Sequence, residues 1–148
     1  VVFSGVAANT DLWEYSGSGC HMTADVATIS YAKGGAQTLT LDAGKVHANK
    51  PYWIFGSITG TSPGIALNGI HIPLNLDVYT QLAMENVTAN PPYDRFRATL
   101  DATGGATARF VLPSNALTAS FSLYHSYVVF DGAGMFYGAS NPVQVTFQ

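Results

Sequence analysis

The chain has few charged residues. Only 10% of its 148 residues are Asp, Glu, Lys or Arg, whereas roughly 25% is usual in a globular protein. The six basic residues are scattered along the sequence and form no cluster. Because neutralising a phosphate backbone requires clustered Lys and Arg, we do not expect nucleic-acid binding. So few charges also leave little electrostatic repulsion to keep copies of the chain apart.

Cysteine and long apolar runs are scarce as well. Cys20 is the only cysteine, so an intrachain disulfide and a cysteine-based zinc site are both excluded. We expect a small buried thiol at this position, and the alternative is a bridge to another molecule. No apolar run in the sequence approaches the ~18 residues of a membrane-spanning helix, so no membrane span is predicted.

Patterns for catalysis and metal binding are missing too. The four histidines, His21, His47, His71 and His125, lie far apart, and none is spaced for a metal site. The sequence contains no Gly-x-Ser-x-Gly motif, and its nine scattered acids favour no catalytic pair. We therefore expect a protein that is not an enzyme and has no catalytic residues, metal or cofactor.

Three aspartates begin glycine-bearing turns. Asp42, Asp101 and Asp131 stand in the segments LDAG, LDATGG and FDGAG. An Asp side chain at such a position accepts hydrogen bonds from the backbone two residues on, which accounts for all three. Calcium at one of these turns is the alternative, although the turn at Asp131 lacks the alternating Asp pattern of a calcium loop.

Strand-like patterns fill most of the remaining sequence. Residues 51–77 carry the densest apolar load, in two runs at 52–59 and 65–76 that a Gly/Thr/Ser/Pro turn joins. Further strand patterns occupy residues 25–31, 37–41, 96–100, 106–112, 119–130 and 142–147. Alternation and regular turns predict an all-β, antiparallel two-sheet sandwich, immunoglobulin-like or jelly-roll-like, with about eight to ten strands.

Three parts of this pattern carry more specific expectations. The Gly-Gly turn after residue 33 predicts a hairpin or a crossover between sheets, and the turn at 101–105 predicts a hairpin. Residues 78–87 fit a strand or a short helix, and the leading Val, Tyr and Thr favour the strand. The even-numbered apolar residues from 70 to 76 predict a buried face.

The N-terminal residues differ from the rest. In residues 1–22, two short apolar pieces at 1–6 and 12–15 precede a Gly/Ser run that reads as a hinge. We interpret residues 1–22 as an extension or strand segment and residues 23–148 as the sandwich domain. The residues that we assign to assembly with other molecules are Val1, Val2, Phe3, Val6, Leu12, Trp13 and Cys20.

Aromatic residues make up 12% of the chain and suggest a second kind of surface. Sugar-binding modules stack exposed rings on polysaccharide, and the candidates for such rings are Tyr52, Trp53, Tyr93 and Tyr124. The alternative is that the rings fill the space between the sheets. Tyr124 and Tyr127 must point to opposite faces of an ideal strand.

Several motifs resemble a known family. They are YSGSGC at 15–20, QTLTLDAG at 37–44, GTSPG at 60–64, IPLNLD at 72–77, LDATGGATARFVLP at 100–113 and SNPVQVTF at 140–147. Together they resemble a C-terminal accessory β-domain of large secreted and cell-surface bacterial proteins, over residues 15–148. The resemblance implies export and a non-catalytic role, and it carries over no active-site residues. A second cysteine that often matches the first in that family is missing here.

These observations predict a class of function. We expect an extracellular or cell-surface domain that is structural or serves attachment. It would assemble with copies of itself through strand donation, in a filament or surface layer, or anchor to other cell-surface proteins. The alternative is a carbohydrate-binding module that uses exposed aromatic rings on polysaccharide.

Overall fold

A computed structural model describes residues 19–67 and 69–148. The described part is an all-β sandwich with one α-helix, α1 (Val78–Glu85), and a 3-10 helix at Lys45–His47. Ten of its twelve strands have three or more residues, which confirms the predicted fold class. The strands are β1 (His21–Ala24), β2 (Thr28–Ile29), β3 (Gly35–Asp42), β4 (Pro51–Ser57), β5 (Ile65–Leu67), β6 (Ile70–Ile72), β7 (Tyr93–Asp94), β8 (Arg97–Thr99), β9 (Gly105–Leu112), β10 (Phe121–Phe130), β11 (Phe136–Ala139) and β12 (Val143–Phe147).

Two main sheets form the sandwich. The small sheet has the strand order β1-β3-β9-β7, and the large sheet has the order β2-β12-β10-β4-β8, with β11 also paired to β10. Strands β2 and β12 are parallel, and the other described pairs are antiparallel. A separate hairpin, β5–β6, completes the strands.

The main core lies between the two sheets. Alternate side chains of β3, including Leu39 and Leu41, face alternate side chains of β10. The β10 residues on this inner face are Leu123, His125, Tyr127 and Val129. Tyr124 points to the other face of β10, which is also confirmed.

A second apolar cluster covers the outer face of the large sheet. Ile72 and Leu74, both fully buried, pack there against Phe55, Val128 and Ala139. The large sheet is thus buried on both faces, which explains the nearly continuous apolar runs in β4 and β10.

The prediction of one long strand over residues 65–76 is wrong. The chain turns back near Gly69 (φ 78°) and forms the β5–β6 hairpin. Ile72 and Leu74 are buried as predicted, but Leu76 is 68% exposed. The alternate side chains are buried only where the chain lies on the large sheet, and Leu76 is already beyond it.

The prediction of a strand over residues 78–87 is also wrong, because α1 forms there. Asp77 caps the helix: its Oδ1 accepts hydrogen bonds from the backbone N–H groups of Tyr79 and Thr80, at 3.0 and 3.1 Å. The Thr80 hydroxyl in turn accepts from the Asp77 N–H at 3.1 Å. This reciprocal cap satisfies the first helical donors and outweighs the modest β-propensity of the sequence.

Two turns carry the chain from one sheet to the other. The Gly-Gly turn joins β2 of the large sheet to β3 of the small sheet, so the crossover alternative is the correct one. The hairpin predicted at 101–105 is wrong, because β8 pairs with β4 and β9 pairs with β3. The chain leaves the small sheet at Arg95 (φ 59°), whose guanidinium donates two hydrogen bonds to the Thr107 carbonyl, at 3.0 and 2.8 Å.

Candidate interaction surface

Helix α1 has apolar side chains on its outer side. Tyr79 and Ala83 face the sandwich and are buried. Val78 and Leu82 lie four residues apart on the opposite side of the helix, where they are 77% and 52% exposed. A helix on the surface of a soluble protein normally carries polar residues there. A partner that covers this side would remove the exposed apolar area from water.

Two neighbouring residues extend the apolar area. Leu76 and Met84 are 68% and 38% exposed. They line a groove of about 470 Å³ beside the helix, together with Asp77, Thr80, Gln81 and Glu85. We call Leu76, Val78, Leu82 and Met84 the helix surface. Exposed apolar patches with a polar rim commonly mark protein contact sites.

The carboxylate of Asp77 fixes the helix to the end of β4. Its Oδ2 accepts hydrogen bonds from the Ser57 hydroxyl (2.8 Å), the Ile58 N–H (2.9 Å), and the N–H and hydroxyl of Thr59 (2.9 and 2.8 Å). Burial alone would raise the pKa of Asp77, but the hydrogen bonds from Thr59, Ser57 and Thr80 outweigh it and hold the pKa well below its usual range. The ionised carboxylate therefore holds the helix surface in a defined position.

The inner side of α1 is anchored by a buried polar chain. The Tyr93 hydroxyl donates to the Tyr79 oxygen at 3.1 Å, which leaves the Tyr79 hydroxyl to donate to Nε2 of His125 at 2.8 Å. The Thr80 hydroxyl donates to the Gly56 carbonyl at 2.7 Å. These bonds connect the helix to the large sheet inside the core.

His125 forms the end of this polar chain on the large sheet. Its side chain is fully buried, and the rings of Phe96 and Phe110 lie 5.3 and 5.5 Å away between centroids. Burial lowers the pKa of His125 to about 3, so the ring is neutral near pH 7. Within the described part of the chain its Nδ1 has no hydrogen-bond partner.

For two of the four candidate sugar-stacking rings, the prediction of an exposed ring is wrong. Tyr52 and Tyr93 are 0% and 3% exposed, because both lie in the core between the sheets. Trp53 and Tyr124 are half-buried on the outer face of the large sheet. The Arg97 guanidinium lies over the Trp53 ring, 4.2 Å from a ring centroid. The four rings therefore form no common exposed platform.

Most of the predicted assembly residues, namely Val1, Val2, Phe3, Val6, Leu12 and Trp13, lie outside the described residues. Cys20 is 5% exposed just before β1, which confirms the buried thiol. A bridge from Cys20 to another molecule would require the chain to open at this point.

Strand β1 is at the edge of the small sheet, and a side chain already bonds its free edge at Met22. Asn141 accepts a hydrogen bond from the Met22 N–H through Oδ1 and donates one to the Met22 carbonyl through Nδ2, both at 2.9 Å. The amide thus takes the place of a neighbouring strand. A strand that added here would have to displace Asn141, so the helix surface is the better candidate for contact with a partner.

The three turn aspartates hold their own backbone, as predicted. Asp42, Asp101 and Asp131 each accept a hydrogen bond from the N–H two residues on, at 3.2, 2.8 and 2.9 Å. In the described ranges, no three His, Cys, Asp or Glu side chains are grouped so that they could hold a metal ion. Among the same residues no helix is long and apolar enough to cross a membrane.

Sequence reasoning missed the helix surface because Val, Tyr and Thr at 78–80 favoured a strand. Asp77 followed three residues later by Thr80 was the available signal for a helix start.

No protein-family model matches the chain, and a search of curated proteins gives no match.

Proposed function

We propose that this chain is a non-catalytic structural or attachment domain that acts outside the cell and associates with copies of itself. The observation that carries the proposal is the helix surface, where four large apolar side chains are exposed on and beside one capped helix. Removing apolar surface from water contributes roughly 25 cal/mol for each Å². Contact with a partner at this place would therefore be favourable.

The placement of the reactive groups supports a non-catalytic role. His125 is enclosed by aromatic rings, and Asp42, Asp101 and Asp131 bind their own turns. Asp77 accepts hydrogen bonds from the residues around it. Each of these groups already has a role in holding the fold.

Two features of the sequence support self-association outside the cell. The low content of charged residues reduces repulsion between copies. The turn and strand motifs resemble an accessory domain of secreted and cell-surface bacterial proteins. Anchoring to a larger surface assembly would use the same apolar contact.

The mass of the full chain in solution tests the proposal. We expect a mass that rises above the 15.6 kDa of a single chain as the protein concentration increases. Reductant should leave this mass unchanged, because Cys20 is buried. Light scattering after size exclusion measures both effects. A single-chain mass at every concentration would overturn self-association.

A further inference from the structure

We propose that residues 1–18 of one copy cover the helix surface of the next copy, so that the chains associate head to tail. This inference rests on the proposed function, and it names the two parts of the chain that meet. Helix α1 and Gly19 lie at opposite ends of the sandwich, and both the helix surface and residues 1–18 carry apolar side chains.

Helix α1 marks one end of the sandwich. Strand β4 runs along the sandwich from Pro51 to Ser57. The Ser57 hydroxyl donates to Asp77, the cap of α1, at 2.8 Å. The helix surface therefore lies at the end where β4 finishes.

Gly19 belongs to the opposite end. His21, two residues after it, pairs with Asp42, and Asp42 pairs with Gly105 across the small sheet. The turn before Gly105 meets the residues just before β4, because the Asn49 N–H donates to the Asp101 carbonyl at 3.0 Å. Residues 1–18 thus join the domain at the end where β4 begins.

Because the two parts lie at opposite ends of the sandwich, copies arranged end to end bring them together. A seven-residue strand such as β4 spans roughly 23 Å, so a segment that covers its own helix must run the length of the sandwich. In a head-to-tail pair the segment crosses only the gap between two domains. Such a contact joins two different surfaces and can repeat from copy to copy.

The composition of the segment matches the helix surface. Residues 1–18 include the apolar side chains Val1, Val2, Phe3, Val6, Leu12 and Trp13. The groove beside α1 has about 470 Å³, with Leu76 and Met84 among its lining residues. This volume falls in the range of pockets that hold a small ligand, so the groove has room for an aromatic ring such as that of Phe3 or Trp13.

Photo-cross-linking in the full chain tests the contact. With the substitution Trp13→benzoylphenylalanine, we expect cross-links to residues 76–84. Mixing isotope-labelled and unlabelled chains distinguishes links between copies from links within one copy. Links between copies at residues 76–84 support the proposal, whereas links within one copy alone, or links elsewhere, overturn it.

A pair of matched substitutions separates this inference from self-association itself. Leu82 and Met135 are both 52% exposed, but Met135 lies outside the helix surface. Leu82→Gln should weaken association at least about tenfold, since Gln keeps a high helix propensity but loses the apolar contact. Met135→Gln should leave association unchanged.

The three remaining outcomes are distinct. Association that survives Leu82→Gln unchanged overturns the head-to-tail contact and leaves self-association standing. Equal loss in both variants also overturns it, because the effect would then be general. A single-chain mass without cross-links between copies overturns both the contact and the proposed function.

Discussion

Gly56 lies on β4 where the ring of Tyr79 packs across the inner face of the large sheet. A Cβ atom at Gly56 would overlap this ring and would lie 3.0 Å from Cδ2 of His125. The absence of a side chain therefore allows α1 to dock. At the scale of single residues, this position and His125 decide how the helix joins the core.

The substitution Gly56→Ala should lower the free energy of unfolding by about 1–3 kcal/mol, because overpacking forces Tyr79 or the backbone to move. Urea denaturation monitored by circular dichroism measures the change. Gly132→Ala is the control, since among the described residues other than its chain neighbours no atom lies within 4 Å of its added Cβ. A loss as large at Gly132 would contradict this explanation.

His125 should make the stability depend on pH. Burial lowers its pKa from the ordinary 6.5 to about 3 in the folded protein. Between these values the unfolded chain binds the proton and the folded protein does not. His125 therefore does not lower the free energy of unfolding above pH 6.5. As the pH falls from 6.5 toward 3, the free energy of unfolding decreases by up to about 1.4 kcal/mol per pH unit.

Urea denaturation at a series of pH values measures this dependence, and His125→Leu is the comparison. The variant should be less stable near pH 7 but should lose stability less steeply between pH 6.5 and 3. His47 contributes in the same direction in both proteins, because burial and the nearby Lys50 lower its pKa. Equal slopes in the two proteins would show that His125 does not titrate in this way.

At the scale of elements, α1 is held by the same carboxylate on two sides. Asp77 Oδ1 binds the first turn of the helix, and Oδ2 binds the residues after β4. The helix and the segment at 57–59 thus depend on a single side chain. This arrangement allows the two contacts to be separated by one substitution.

In the variant Asp77→Asn, the amide oxygen can still cap the helix, but the NH2 group cannot accept the hydrogen bonds that Oδ2 accepts. Relative to the unsubstituted protein, we expect hydrogen exchange to speed up more at the N–H groups of Ile58 and Thr59 than at those of Tyr79 and Thr80. In Asp77→Ala all four N–H groups should exchange faster, with a loss of about 1–2 kcal/mol from the cap. Hydrogen exchange followed by NMR measures both. Unchanged exchange at Ile58 and Thr59 in the Asn variant would contradict the role of Oδ2.

At the scale of the whole molecule, apolar contacts dominate over charges. The large sheet is buried on its inner face by the small sheet and on its outer face by the β5–β6 hairpin and the segment after it. Among the described residues that line the groove of the helix surface, Asp77 and Glu85 are the charged ones. Association through this surface should therefore respond to salt as an apolar contact does.

Raising the sodium chloride concentration from 0.1 to 1 M should leave self-association unchanged or strengthen it. Salt at 1 M shortens the screening length to about 3 Å and would weaken a contact made by ion pairs. Sedimentation velocity at several salt concentrations measures the effect. Dissociation at high salt would show that charges, rather than the helix surface, hold the copies together.

The sequence by itself determined the fold class and much of the local structure. Alternation placed Tyr124 and Tyr127 on opposite faces of β10, and turn chemistry identified the roles of Asp42, Asp101 and Asp131. These features depend on residues close together in the chain, so local patterns suffice to predict them.

The tertiary structure alone decided which sheet each strand joins and which faces are covered. The chain changes sheets at Arg95, whose side chain bonds the Thr107 carbonyl twelve residues away. Tyr52 and Tyr93 are buried because the other sheet lies over them, and Val78 and Leu82 are exposed because no described element does. Burial is set by contacts between residues distant in sequence, so hydrophobicity alone could not distinguish a core residue from one on the helix surface.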